Sequence, residues 1–423
     1  MSQYQRTLGP IQGIAMTVTT FIGTGLMILP AMSVAEAGSF AFYAWLITAV
    51  MVIPIAFIFA LLGSKYPSAG GASHYIGKAF GQHYEKAVGW LFLSILLFGP
   101  AVAVKVAAAY LGIIIDIPEI SLLVLSLITI IALTLFSVAG IQASARFQTG
   151  VVIVMILTII WLCIIADISS SVSVIATPES SSDWQTTLYA AGVIFWCFLG
   201  IEVMAHMGAE FKNPTRDFPI ALLGGITLVI LAYLSLVLLI AYHQTYGDEV
   251  TNSQSLALLV NKLVGDTGSK LFAVGAYIIA FANVAIYILG FARMVQSLAK
   301  QNALPHKFAL LSSQGTPINA VLLVCSIVLL SIVFSELSGW EMAWFIEMTN
   351  SNFLLIYALT CIAAFRLVNN RLKVLAVLAL GSCLGMAFFI GMNMLFAITI
   401  MITALCYEQW RKSNGVKNQH QFP

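Results

Sequence analysis

Apolar residues run along this chain in long unbroken stretches, each about 20 residues or more, with short polar segments between them. A helix that crosses a membrane needs about 20 apolar residues, and up to about 25 when tilted. The stretches therefore predict about twelve spans, at about 9–36, 40–63, 86–111, 119–139, 147–167, 187–210, 218–243, 270–299, 317–335, 341–365, 372–390 and 393–410. The last two form one run of about 40 residues, divided only by Gly391, Met392 and Asn393; that length fits two spans better than one. The runs are continuous rather than alternating, which argues against a β-barrel. The intervening loops are too short to bury an aqueous core, so a single membrane domain is expected over 1–411. The tail at 412–423 is polar and expected to lack structure. The Ser-rich stretch 168–185 reads as a mobile outer loop. Residues 252–263 read as a short helix lying on the outer surface.

Composition sharpens this picture. Of the 423 residues, 60% are hydrophobic and 9% are charged, against roughly a quarter charged in a soluble domain. Mean hydropathy is +0.98. A soluble enzyme, a disordered chain and a nucleic-acid binder are excluded on these grounds. The first apolar run is followed by many more, so it reads as a first span rather than a cleaved leader. All six cysteines fall in apolar runs, which argues against structural disulfides.

The net charge of +2 says little, but its placement says more. With an even number of spans both termini share a side. Every Lys and Arg except Lys105, Lys262 and Lys270 falls on that side. The positive-inside rule then puts both termini in the cytoplasm. The opposite loops carry Asp116, Glu119, Asp167, Glu179, Asp183, Asp248 and Glu249.

Two spans carry signs of interruption. The first contains Phe21-Ile22-Gly23-Thr24-Gly25, and two glycines with a threonine weaken a helix locally. The sixth contains Phe195-Trp196-Cys197-Phe198-Leu199-Gly200-Ile201-Glu202, again with a central glycine, followed by a carboxylate. In lipid, broken backbone survives only where it is buried in protein or lines a cavity. Glycines also serve close helix packing, and a single pair would be explained as well that way. Paired breaks at corresponding places in two halves point instead to a secondary transporter built from inverted repeats. Half-helix N-termini offer N–H groups to an anion and half-helix C-termini offer carbonyls to a cation, which suits an amino acid zwitterion. A nucleotide site is excluded: Gly23-Thr24-Gly25 lacks a third glycine and a preceding strand. Gly71 to Gly77-Lys78 has the wrong spacing, with Ala79 where a P-loop needs Ser or Thr.

Four stretches together resemble the amino acid–polyamine–organocation superfamily of transporters. They are Ile22-Gly23-Thr24-Gly25 with Pro30; Tyr66-Pro67-Ser68-Ala69-Gly70-Gly71 running to Ala79-Phe80-Gly81; Phe195 to Glu202 running to Glu210-Phe211-Lys212-Asn213-Pro214; and Leu304-Pro305-His306-Lys307. Within the superfamily the likeness is greatest to bacterial exporters of methionine and branched-chain amino acids. The resemblance implies an all-α, LeuT-like fold: a five-plus-five inverted repeat, about 9–167 and 187–365, with discontinuous first and sixth helices. Two further helices would follow at about 372–410. It implies alternating access, with the substrate carboxylate held near Ile22, Gly23, Thr24 and Gly25, beside Thr20. The ammonium would meet carbonyls around Phe195 and Trp196, beside Gly200. Trp196 stands where related exchangers carry a gating aromatic, and Glu202 where some relatives carry a proton-responsive glutamate. The Tyr66–Gly81 segment would be a cytoplasmic loop dipping toward the inner gate. Some members replace a sodium ion with a fifth-span lysine; this chain has none between Phe147 and Ala166, which leaves the coupling ion open.

Three residues are candidates for proton coupling. Glu202 lies near mid-membrane, where a charge costs about 2.5–3.5 kcal/mol, and intramembrane acids are functional by default. Its bland reading is a carboxyl bonded to backbone freed by the break. Lys105 is the only basic residue inside a span; it either neutralises Glu202, responds to transported charge or snorkels outward. His206 is four residues past Glu202, and histidine as a residue type titrates near neutrality, though a histidine bonded at a helix interface explains it as well. Asn283, Glu347 and Asn350 are polar groups in apolar company, either bonding between helices or lining a cavity. No cluster has metal-ligand spacing, and no cofactor is implied. No nucleophile–base pair appears, so an enzyme is the weakest class. The expected activity is proton-linked export of small neutral amino acids through the bacterial cytoplasmic membrane, with no protein partner needed. An uptake permease or exchanger of the same fold, a channel and a membrane-embedded sensor are the alternatives.

Overall fold

The computed structural model describes residues 8–67, 71–116, 120–139, 145–206, 211–300, 303–312 and 315–419; within these, the side chains of 145–149, 203, 206 and 412–419 lie outside the description. The protein is an all-helical, multi-pass membrane protein. In chain order the helices are α1 (Pro10–Phe21), α2 (Gly25–Ala37), α3 (Ala41–Lys65), α4 (Gly71–Phe80), α5 (Gln82–Ser94), α6 (Gly99–Ile115), α7 (Leu122–Val138), α8 (Ala145–Ile165) and α9 (Ile168–Ser171). They continue with α10 (Ser181–Ile194), α11 (Ile201–His206), α12 (Pro214–His243), α13 (Glu249–Lys300), α14 (Ile318–Ser338), α15 (Met342–Leu367), α16 (Lys373–Ile390) and α17 (Met394–Gln419). Among the described residues no strand forms; Leu8 and Phe211 make an isolated parallel bridge.

Seven helical segments among the described residues are long and apolar enough to cross a membrane, or eight if α8 and the bent helical turns that follow it count as one. Three of these are too long for one crossing: 41, 52 and 42 residues, or more than about 60 Å of straight helix at about 1.5 Å per residue. Hydrogen bonds show how two of them fold back. The Trp45 indole donates to Ser33 Oγ at 2.9 Å, although twelve residues of straight helix would hold them about 18 Å apart. The reversal comes at Gly38, where φ is +54°. Likewise Ser269 Oγ donates to the Ala257 carbonyl at 2.9 Å, and the reversal comes at Gly265, with φ +83°. The surface helix expected near 252–263 is the first part of α13, before this kink. The third segment breaks at Gly391 (φ +65°), as its Gly-Met-Asn divider predicts.

A further break was not expected. The third span divides into α5 and α6 at Phe98, whose φ and ψ are −134° and −62°. Gly99-Pro100 is its sequence cause: proline lacks an N–H and disfavours helix in the residue before it. The Leu97 carbonyl released there accepts a bond from Ser331 Oγ on α14, as irregular backbone in lipid requires.

Three expectations about loops need correction. The Ser-rich 168–185 stretch is ordered, not a mobile loop. Asp167 caps α9 by accepting from the Ser170 N–H. The Ala176 N–H reaches the Ser39 carbonyl at 3.3 Å, and Ser180 with Asp183 forms a reciprocal capping box on α10. These bonds favour the ionised carboxylates and lower the pKa of Asp167 and Asp183. The tail from Lys412 is helical through Gln419, continuing a helix whose last buried turn pairs Arg411 with Glu408. The Tyr66–Gly81 segment is largely the helix α4, packed on α11 and α15 with Tyr75 and Ile76 fully buried.

Candidate functional site

In α1, Ile22 is the last N–H to reach back four residues, to the Val18 carbonyl at 2.8 Å. Helix resumes only at Gly25, where the N–H groups of Leu26 and Met27 turn back three residues, to Gly23 and Thr24. The N–H groups of Gly23, Thr24 and Gly25 therefore have no backbone partner among the described residues. Two carbonyls freed by the break are covered from other helices. Tyr233 on α12 donates its hydroxyl to the Phe21 carbonyl at 2.9 Å. Asn283 on α13 donates Nδ2 to the Thr19 carbonyl at 3.4 Å.

The second break lies between α10 and α11. The carbonyls of Gly192 and Val193 both accept from Asn350 Nδ2 on α15, at 2.9 and 3.1 Å. After a short turn, Gly200 takes a φ of +126°, which only glycine adopts readily. Its N–H donates to Glu202 Oε2 at 3.1 Å, and the Tyr357 hydroxyl donates to the same oxygen. Glu202 is 2% exposed. The two breaks interlock: a Cβ on Gly200 would lie 2.6 Å from Thr20 Cγ2.

Between the breaks lies a small cavity of about 60 Å³. Its wall comes from five places in the chain: Thr20, Phe21, Gly23, Thr24 and Gly25; Ile95, Gly99, Pro100 and Ala103; Trp196 and Leu199; Asn283, Val284, Tyr287 and Phe291; and Thr349 and Phe353. The lining is mostly apolar with a few hydroxyls, one carboxamide and an indole. No carboxylate or cationic side chain contributes to it. Gly23, Thr24 and Gly25, whose N–H groups have no backbone partner among the described residues, form part of this wall; free backbone donors suit an anion and an apolar wall suits an uncharged side chain.

The expected site residues separate into groups. Thr20, Gly23, Thr24, Gly25 and Trp196 line the cavity. Ile22 does not: its N–H is committed to Val18, and it lines a different, lipid-side groove between α1, α8 and α12. Phe195 is fully buried and packs edge-on against Tyr357, ring centroids 6.0 Å apart. Gly200 and Glu202 stand behind the wall. Lys105 does not meet Glu202; its ammonium bonds Ser335 Oγ at 3.0 Å and faces the half-exposed Glu336 at 3.8 Å. The side chain of His206 lies outside the described residues. Glu347 accepts from Asn393 Nδ2, which ties the break between α16 and α17 to α15. The contributions of the third span and of Tyr287 were missed. Gly99-Pro100 was a legible signal for the former, because the chain breaks there and a Cβ on Gly99 would sit 3.2 Å from Thr349 and 3.4 Å from Trp196.

A broken-helix cavity of this kind calls for comparison with known proteins. The family model described as amino acid permease matches residues 8–417. The chain belongs to the amino acid permease family. It is 35% identical over 409 residues, 96% of each chain, to the L-methionine/branched-chain amino acid exporter YjeH of Escherichia coli (strain K12). It is 25% identical, over 99% of each chain, to the amino acid permease YecA of Bacillus subtilis (strain 168). The serine/threonine exchanger SteT of the same organism is 23% identical over 71% of this chain and 70% of its own. As an amino acid permease the protein is a transporter and not an enzyme. Its substrate is a small molecule of the amino acid class.

Proposed function

We propose that this permease exports methionine and branched-chain amino acids by alternating access. The observation that carries the reading is the uncharged, largely apolar cavity set against the unpaired N–H groups of Gly23, Thr24 and Gly25. A carboxylate is matched by those donors, and an aliphatic or thioether side chain by the wall of Phe21, Ile95, Val284, Phe291 and Phe353. A lysine or glutamate side chain would find no counter-charge on the wall. The 35% identity to an exporter of this cargo, end to end, supports both the substrate class and the outward direction.

In this reading the chain makes twelve crossings. The broken segments α1–α2 and α10–α11 are the first helices of two inverted five-helix repeats, and α16–α17 is an appended hairpin. The hydrogen bonds that fold the over-long segments back support that count. The face carrying Lys65, Lys78, Arg366 and Arg371 is cytoplasmic, by the distribution of basic residues, and the membrane is the bacterial inner membrane. Trp196 closes over the substrate. Export is linked to proton entry, with Glu202 the first candidate to carry the proton; His206 and Lys105 remain candidates at the second rank, Lys105 through its contact with α14.

Liposomes holding the purified protein and labelled methionine test this. Protein-dependent efflux that accelerates when protons are driven inward is expected. Efflux that ignores the gradient but needs an amino acid outside means exchange. No movement of methionine, leucine, isoleucine or valine under either condition would overturn the assignment.

A further inference from the structure

We propose that Asn283 is a positioning residue: its carboxamide replaces the N–H of Gly23 at the Thr19 carbonyl and so keeps that N–H available to a substrate carboxylate. The inference rests on the transport reading above and deepens it.

In a continuous α-helix the Thr19 carbonyl accepts from the N–H four residues on, which is Gly23. Ile22 makes the corresponding bond to Val18, so α1 is regular up to that point. At the next position the donor changes: the Thr19 carbonyl is served by Asn283 Nδ2 from α13, and Gly23 makes no backbone bond among the described residues. An unserved carbonyl in a dry interior would favour closing the helix, because a buried unmade bond is costly. The amide of Asn283 removes that drive. Both Gly23 and Asn283 line the cavity, so the N–H released in this way belongs to its wall.

The fit between the two residues is reciprocal. A Cβ on Gly23 would lie 2.4 Å from Asn283 Oδ1, 2.5 Å from Cγ and 2.6 Å from Nδ2. The carboxamide therefore lies against the bare Cα of Gly23, and no other residue type at 23 leaves it that place. This accounts for the first glycine of Gly23-Thr24-Gly25 by a contact, where flexibility alone would be satisfied elsewhere in the turn. Tyr233 performs a similar service two residues on, at the Phe21 carbonyl, whose helical donor would be the N–H of Gly25. Of these two donors, Asn283 lines the cavity and Tyr233 does not.

The test uses the full-length protein in liposomes, with methionine as substrate and methionine methyl ester, which lacks the carboxylate charge, as competitor. Wild type is run alongside; if it moves no amino acid, the transport reading fails and the Asn283 assignment falls with it. If wild type transports, Asn283→Leu and Asn283→Asp are compared with it. Asp keeps the shape and, in its ionised form, presents oxygen to the carbonyl in place of a donor. Both variants should raise the KM for methionine by about tenfold or more, with a smaller change in maximal rate, since the bond lost is one to a charged group. Both should also lose the preference for methionine over its ester. A variant that retains wild-type KM and preference overturns the proposal. The double variant Gly23→Ala with Asn283→Ala restores the space for a Cβ without restoring the donor. It should insert and purify normally yet keep the raised KM. Recovery of transport in the double variant would show that Asn283 only fills space, and would equally overturn the proposal.

Discussion

At the scale of single residues, Gly23 and Glu202 are the positions at which the proposed substrate contact and the proposed proton coupling are each put to the test. Gly23 has Asn283 pressed against its Cα, so a bulky side chain there must displace the amide and block the cavity. Gly23→Leu is expected to reduce methionine efflux below about a hundredth of wild type, while the protein still inserts and elutes as a single species; the loss follows from excluding the ligand rather than from unfolding. Glu202 behaves differently, because it touches the break and not the cavity. Its carboxylate holds the Gly200 N–H and receives the Tyr357 hydroxyl. Glu202→Gln keeps one acceptor oxygen for those donors but cannot take up or release a proton. Efflux measured from pH 5.5 to 8.5 should accordingly lose its pH dependence in this variant while remaining measurable. A wild-type pH profile in Glu202→Gln would remove it as the proton carrier. The sequence made the two residues visible as types, a glycine pair and an intramembrane acid. It did not show which atoms they meet. Asn283 is 260 positions from Gly23, and nothing local to either predicts that they touch. Ile22 shows the converse: it sits inside the motif, yet its N–H completes the last regular turn and its side chain faces the other way.

At the scale of elements, the two broken helices constrain each other through Gly200 and Thr20. Gly200→Ala must both adopt a φ of +126° and place a methyl 2.6 Å from Thr20 Cγ2. The backbone strain alone is about 1–3 kcal/mol. Thermal unfolding in detergent should show a clear loss for Gly200→Ala, and Thr20→Ser should recover part of it by removing the methyl but not the strain. Full recovery would mean that backbone strain at Gly200 is negligible. The segment after α8 offers a second test. Asp167 and Asp183 have lowered pKa values in the folded chain because each carboxylate accepts backbone and side-chain bonds from serines. A carboxyl whose pKa is lowered by folding stabilises the fold above its unfolded pKa, and that stabilisation is lost as pH falls through the folded one. Hydrogen-exchange protection of 168–185, corrected for intrinsic exchange, should therefore be high at neutral pH and drop below the ordinary carboxylate range near pH 4. Protection that is absent at pH 7 would restore the mobile loop that serine content suggests. Composition misled here because serine favours loops in general, whereas in this stretch serines and aspartates stand at the cap positions of short helices.

At the scale of the whole molecule, hydropathy located long apolar helices such as α3, α12, α14, α15 and α16 to within a few residues, because the bilayer imposes length and composition directly; it passed over α4 and α9 and began α10 six residues late, at 187 for Ser181. Gly38 and Gly265 mark where over-long helical segments turn back, and Gly391 marks where the third one breaks. The broken third span was the main omission: Gly99-Pro100 sits inside an otherwise ordinary apolar run, and its meaning depends on Ser331 and Thr349 from distant helices. The assembled picture is of a cavity at the first break with an apolar wall drawn from five segments, and the proposal assigns substrate selectivity to that wall. That account makes a demand on the entire protein, since substrate must reach the breaks and leave by the opposite face. The most direct measurement is efflux of labelled methionine from liposomes containing wild type or Gly23→Leu at matched protein content, with labelled lysine as the comparison cargo. The account predicts methionine efflux from wild type only, and no lysine movement from either. Equal methionine efflux from the two proteins would contradict the placement of the site at the first break, and lysine efflux matching that of methionine would contradict an uncharged, apolar cavity as the source of selectivity.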